Sequence, residues 1–348
     1  MMLYAAGRYA NLLARALSVT LSPSADSLFP AANLYDGRPS RAGRHSSNGA
    51  NPSITFDLAA FTPQGAGTLN ITARAGERRR ITSSGTTSIA IRNLATLKYL
   101  TSGGAWQVGS TSCLTGAGSL DYQVEGFTAC QAPYVTLQIV ITSGTSVWDQ
   151  PRWNALAVIG HNLDPGLTCE MRSSTDNFSA SNLLEVTGTI LQPGFFMLDT
   201  GGISNRYGRL LLTGTNSATP WYGEVLPCWF ETAVDAPDIG LELQYDEPQV
   251  RNTGPLGDAY VYNLSPWPRR ILRMAFDQSA SSGAIETRQE LVLRSRGGAY
   301  AILVAPVDSE GLVLHARPSE KWSETRHIST RWRNDLVLAE DAIVALLA

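Results

Sequence analysis

Apolar and polar residues alternate with a period of two along much of this chain, the spacing that sends successive side chains to opposite faces of a strand. Ser53-Ile54-Thr55-Phe56-Asp57-Leu58 shows it most clearly, and Ser18–Ser22, 68–74, 87–92 and 121–124 follow the same rule. The stretch 134–142 is strand-like by alternation or continuous β-branched composition, and 152–163 is continuous enough in Val, Ile, Leu and Ala to read as a buried strand that turns sharply at Gly160. Gly- and Ser-rich turns such as Ser102-Gly103-Gly104 and 115–119 separate the strands.

Beyond Asp235-Ala236-Pro237-Asp238, which reads as a linker, the pattern changes. Strands are expected at 239–245, 259–264, 270–277, 299–304, 311–316 and 325–330, with a helix at 284–294 that Gly297-Gly298 would stop. At the other end, residues 1–17 are rich in Ala and Leu, and Leu3, Tyr4, Leu12, Leu13 and Leu17 share one face of a helix. A docking helix or arm is the expectation there. Arg8 and Arg15 interrupt the stretch, which falls short of the ~18 apolar residues of a membrane span. No basic region precedes it as in a secretory signal.

A chain of 348 residues suits roughly two or three domains. Only 16% of its residues are charged, and Lys98 and Lys321 are its lysines, so the composition favours strands over helices. The net charge of −3 gives no basic footprint for nucleic acid. Cys113, Cys130, Cys169 and Cys228 lack zinc-ligand spacing. Cys113 and Cys130 share one loop-rich stretch, either as a local disulfide or, with the other two, as buried or half-buried thiols.

No nucleophile, zinc or phosphate-loop motif is present. His161, directly after Gly160, reads as a structural histidine at a strand end rather than a general base. The carboxylate pairs Asp246-Glu247, Asp308 with Glu310, and Glu340-Asp341 lie in turn-like or terminal stretches and read as solvated rather than as a glycosidase pair. The loop at 33–45 brings Arg38, Arg41 and Arg44 close together in sequence beside the turn signal Asp36-Gly37, so it is solvated or bound to a partner. Loop aromatics suited to stacking on a sugar are Trp106, Trp148, Trp221, Tyr222 and Trp229, with the three arginines as hydrogen-bond donors. The alternative is that Trp153 and Trp229 fill a core and Trp221 lies at a strand edge.

Several of these segments, taken in order, resemble the discoidin-like (galactose-binding-like) β-sandwich of tailed-bacteriophage tail proteins. They are the loop Phe29-Pro30-Ala31-Ala32-Asn33-Leu34-Tyr35-Asp36-Gly37-Arg38-Pro39-Ser40-Arg41, the strand at 53–58, the strand at 152–163, Asn205-Arg206-Tyr207-Gly208-Arg209-Leu210-Leu211-Leu212-Thr213, and Trp221-Tyr222-Gly223-Glu224-Val225. In that family the second and third lie nearly contiguous, side by side. Here about a hundred residues separate them.

The resemblance therefore implies a mostly β protein: an arm or helix at 1–17, a discoidin-like β-sandwich split into 18–60 and 148–232, an inserted β-sandwich domain at 61–147, and a C-terminal β-rich α+β tail-assembly domain at 233–348. Insertions of this kind succeed where the ends of the host strands emerge together at an exposed loop. The strand Arg269-Arg270-Ile271-Leu272-Arg273-Met274 also resembles the family's C-terminal part.

In function the resemblance implies a non-enzymatic structural protein of the virion, at the distal tail or baseplate and assembled in the host cytoplasm. Its partners would be other tail or baseplate proteins, copies of itself in a symmetric homo-oligomer, and a host-surface glycan. A carbohydrate-binding adhesion module outside any virion, and a glycan hydrolase, are the rival readings. Ligand contacts are expected from Arg38, Arg41, Arg44, Trp106, Trp221 and Tyr222, and a structural calcium from Asn33 and Asp36. Assembly contacts are expected from Trp267, Arg269, Arg270, Trp322 and Trp332, residue types favoured at interface hot spots. The apolar run at 342–348 would be covered by its own domain or by a neighbouring subunit.

Overall fold

The computed structural model describes residues 3–7, 11–36, 41–62, 64–85, 88–126, 134–143, 146–191, 194–229, 231–234, 241–246, 249–253, 259–263, 269–279, 302–306, 314–318, 323–328 and 331–340. Among these residues the regular elements are strands, apart from two single 3-10 turns, Leu12–Arg15 and Ala31–Tyr35.

Two antiparallel sheets enclose the first core. One runs Leu183–Thr189, Thr168–Ser174, Tyr207–Thr213, Ser53–Asp57, Ser18–Ser22, and the other Phe195–Ile203, Trp153–His161, Trp221–Cys228, Gly43–Arg44. The alternation read from sequence sets the inward face: Ile54, Phe56, Leu210 and Leu212 from the first sheet meet Trp153, Leu156, Val158, Tyr222 and Val225 from the second. Burial of side chains this large contributes about 1.5–3 kcal/mol each. Trp153 is fully buried and stands edge-on to Phe56, ring centroids 5.7 Å apart. Gly208 faces the same spot, where an added Cβ would lie 2.3 Å from the Phe56 ring, so only glycine fits.

Ser53–Asp57 and Trp153–His161 are thus not side by side, as their near-contiguity in the family suggests. They lie in opposite sheets and meet across the core through Phe56 and Trp153.

The second core is built from the intervening segment, with Ile71, Ile81, Ile89, Ile91, Leu137, Ile139 and Val147 among its members. One of its sheets runs Gly67–Arg74, Tyr134–Ile141, Ser88–Asn93, Tyr99–Leu100, Trp106–Gln107, with Leu114–Thr115 also on Ser88–Asn93; the other runs Gly118–Gln123, Arg78–Ser83, Val147–Pro151. The last strand shifts an expected boundary. Trp148 to Pro151 pair with Arg79 to Thr82 rather than with the first core, and the chain crosses over at Arg152.

Residues 1–17 correct a second expectation. Leu3–Gly7 is a strand, lying between Glu231–Val234 and Ile302–Pro306 in the sheet that continues through Leu314–Pro318, Arg331–Glu340, Arg269–Ser279 and Leu241–Asp246. Alanine-rich sequence favours a helix locally, but the backbone groups of two flanking strands offer it a ladder, and tertiary pairing overrides propensity. Leu12 and Leu13 follow as a 3-10 turn that buries both side chains in the first core, and Asn11 accepts the Leu13 N–H at 3.0 Å. The helix expected at 284–294 lies outside the described residues.

Candidate functional site

One end of the first sandwich is closed by loops whose polar side chains bind each other's backbone. Asn162 donates to Thr219 O (3.0 Å) and accepts the Trp221 N–H (2.9 Å). Asn216, almost fully buried, donates to Asn162 O and Ala218 O and accepts the Asp164 N–H, while Asn48 donates to Asn216 O at 2.6 Å. These bonds satisfy loop backbone that would otherwise be left without partners, and they make the loop end rigid.

His45 anchors the same end. It is fully buried, its Nδ1 donates to Pro23 O (2.9 Å), and its Nε2 is left to accept from the Tyr222 hydroxyl (3.3 Å). Burial holds its pKa below the ordinary histidine value. His161 is also buried, accepts the Leu163 N–H at 3.2 Å, stands edge-on to Phe196, and is pushed by burial down to about 4. The acceptor nitrogen of each ring is thus engaged by the fold, as the structural reading of His161 expects.

On this frame Arg44 and Trp221 are direct cross-strand partners. Arg44 forks onto Asp26 (2.6 and 3.2 Å) and lies 4.1 Å over the Phe29 ring. The Arg44 hydrogen bond, helped by the Leu28 N–H, holds Asp26 below the usual carboxylate range. Trp221 is part-exposed, and Leu28 next to Phe29 is 78% exposed. The loop end therefore offers two aromatic surfaces, guanidinium donors and an apolar side chain on rigid loops, the mixture a sugar ring binds: stacking for its C–H face and hydrogen bonds for its hydroxyls.

Of the residues named from sequence, Arg44 and Trp221 come together here. Arg41 lies in the same loop, exposed, 3.5 Å from Asp36; Arg38 lies outside the described residues. Alternation turns Tyr222 inward beside Trp221, and it is fully buried. Trp106 belongs to the second core, where its Nε1 donates to Gln123 O (2.8 Å) and its ring meets Tyr122 edge-on. Trp229 fills no core: Arg78 and Arg152 lie 4.8 and 5.6 Å over its ring. Sequence reasoning missed the roles of Phe29, Asn162 and Asn216, and the signal for the asparagines was their position just beyond strand ends.

For the expected calcium, Asn33 and Asp36 bring few free oxygens. Asn33 donates its amide to Ala42 O (2.9 Å) and Asp36 faces the Arg41 guanidinium, whereas calcium takes roughly six to eight oxygens. Among the described residues no three His, Cys, Asp or Glu side chains cluster as metal ligands. Cys113 is a free buried thiol that burial pushes up to about 12, and Cys130 lies outside the described residues.

Of the residues assigned to assembly, Trp267 and Trp322 are also outside. Arg269 and Arg270 begin a strand opposite Asp246 and Tyr245, and Trp332 pairs with Gln278 and Arg326. No described helix is long and apolar enough to cross a membrane.

No family model matches the chain, and no curated protein matches it. Among solved structures, it is similar to the CBM32 of AlyQ in complex with 4,5-unsaturated mannuronic acid, at 13% identity over 61% of this chain and 94% of that one, with a TM-score of 0.25. It is also similar to an F-lectin (fucolectin) from striped bass (Morone saxatilis) serum, at 13% identity over 64% of this chain and 99% of that one, with a TM-score of 0.17. Superposition this loose transfers no binding residue from either.

Proposed function

We propose that this chain is a non-catalytic structural component of a bacteriophage tail, at the distal tail or baseplate, and that its split sandwich turns the loop end around Arg44 and Trp221 toward a glycan on the host surface. The observation that carries this reading is the convergence of the tail-protein-like segments. The loop from Phe29, the strands Ser53–Asp57, Trp153–His161, Tyr207–Thr213 and Trp221–Cys228 all contribute to one sandwich around one core, although an entire second core interrupts them in sequence. A rigid sandwich presenting loops gains binding strength from copy number in a symmetric particle, so weak individual contacts suffice.

Gold-labelled antibody against the full chain should decorate one end of the tail in purified virions. Absence of the chain from virions, with retained binding to a glycan array, would move the protein to the adhesion-module reading. Depolymerisation of a bound polysaccharide would replace both with a hydrolase.

A further inference from the structure

The outer face of the five-stranded sheet carries a second feature, away from the loop end. Arg172 and Arg209 are direct cross-strand partners there, two cations side by side on neighbouring strands. Arg172 is bonded to Glu170 (2.7 Å) and Asn182 (3.3 Å). Arg209 has no carboxylate partner among the described residues.

Its guanidinium is nevertheless held. The Nε donates to the Thr55 hydroxyl at 3.1 Å, and the Phe178 ring stacks 3.9 Å from its central carbon. That leaves both terminal nitrogens without an acceptor among the described residues. Phe178 reaches this place at a backbone cost: it and Asn177 are consecutive left-handed residues (φ 64° and 59°), a conformation bulky side chains rarely adopt. Ser174 and Asp176 lock the turn, the first accepting the Phe178 N–H (2.9 Å) and the second the Ala180 and Ser181 N–H groups (2.9 and 3.0 Å). Strain of this kind persists where the surroundings over-determine it, and it gathers at binding sites.

We propose that this face binds a carboxylate of an acidic polysaccharide, with Arg209 as a preorganised two-pronged donor and Arg172 as the second cation. The proposal rests on the glycan-binding reading above and adds to it the charge of the sugar and a separate place on the fold. A planar guanidinium with one edge free matches a carboxylate bidentately. Burial, and then the neighbouring Arg172 charge, lower the Arg209 pKa, a penalty that a bound anion would relieve. A sugar chain is favoured over an acidic peptide because the same cross-strand row continues from Arg209 into Thr55 and Thr20, hydroxyls that both donate and accept as sugar hydroxyls do.

The test is calorimetric titration of the full chain with oligogalacturonate, and with its methyl ester as the uncharged control. The acid form should bind and the ester should not. Arg209→Lys, which keeps the charge and loses the fork, and Arg172→Gln should each weaken binding about tenfold, the loss of a charge-assisted hydrogen-bond pair. Lys98→Gln, a charge loss on the second core, should leave it unchanged. If Arg209→Lys fails to fold by near-ultraviolet circular dichroism, Thr55→Val removes the orienting acceptor alone and should weaken binding in the same direction.

Equal binding of acid and ester, or no effect of the arginine substitutions, would overturn the proposal. So would polyglutamate binding as tightly as the sugar. If oligogalacturonate does not bind while neutral glycans on the array do, the sheet-face site fails and the loop-end reading stands.

Discussion

The Ala60 N–H donates to Asp149 O at 2.6 Å, so the two ends of the segment that builds the second core leave and rejoin the first sandwich side by side. A segment whose ends meet this closely can be removed without stretching its host. Because Val147–Pro151 pairs within the second core, the junction belongs at Arg152 rather than Trp148. Joining Ala60 to Arg152 through a short Gly/Ser linker should leave a sandwich that unfolds cooperatively in urea. A broad, non-cooperative transition in the shortened chain would show that the two cores depend on each other.

Inside the second core, Arg79 Nε donates to Asp149 Oδ2 at 2.8 Å, with the two side chains 2% and 0% exposed. Tyr122 donates to the same oxygen, and Glu77 bonds both Arg79 and Arg15. Removing Asp149 leaves the buried Arg79 with Glu77 as its remaining carboxylate partner and the Tyr122 hydroxyl without its acceptor. Asp149→Ala should cost about 3 kcal/mol, the low end for a broken buried pair because Glu77 still holds Arg79, and the apolar pair Arg79→Met with Asp149→Leu should recover part of it, since Glu77 then keeps Arg15. Thermal melts of the single and double variants check this; equal loss in both would mean that the charges themselves stabilise the core.

Acid should weaken the first sandwich through its buried histidines. His161 falls from the ordinary 6.5 to about 4 on folding. Above the upper value neither state is protonated, and below the lower one both are. Between them the unfolded chain holds the proton and the folded chain does not, so stability drops as pH falls through 6.5 and the loss is complete near 4. For this shift the loss is about 3 kcal/mol. His45 shifts in the same direction. Urea midpoints measured at neutral pH and at about pH 5 should differ less in His161→Gln than in the parent chain. An unchanged difference would assign the acid sensitivity elsewhere.

Deleting residues 1–10 should open the sheet that holds Leu3–Gly7, since Glu231–Val234 and Ile302–Pro306 would lose the strand between them. Asn11, whose side chain donates to Glu224 (2.9 Å) and Val225 O (3.1 Å), and the buried Leu12 and Leu13 remain in the shortened chain. Hydrogen exchange should then quicken in the 302–306 and 231–234 amides while those of Leu156 and Val158 stay protected. Protection retained in both regions would make the N-terminal strand dispensable.

Period-two alternation by itself determined the strands at 18–22 and 53–57 and the inward face of Phe56, because side-chain direction in a strand follows from local geometry alone. The inserted second β domain was legible only from the strand-like segments between 61 and 147 taken together with the family resemblance. Tertiary structure decided the rest. Thr168–Ser174, Leu183–Thr189 and Phe195–Ile203 carry weaker patterns and are held by their neighbours' ladders. Leu3–Gly7 became a strand because two distant strands needed a partner, and Ser53–Asp57 and Trp153–His161 parted into opposite sheets. The pairing of Arg172 with Arg209, and of Arg44 with Trp221, depends on register between strands far apart in the chain, which no local pattern encodes.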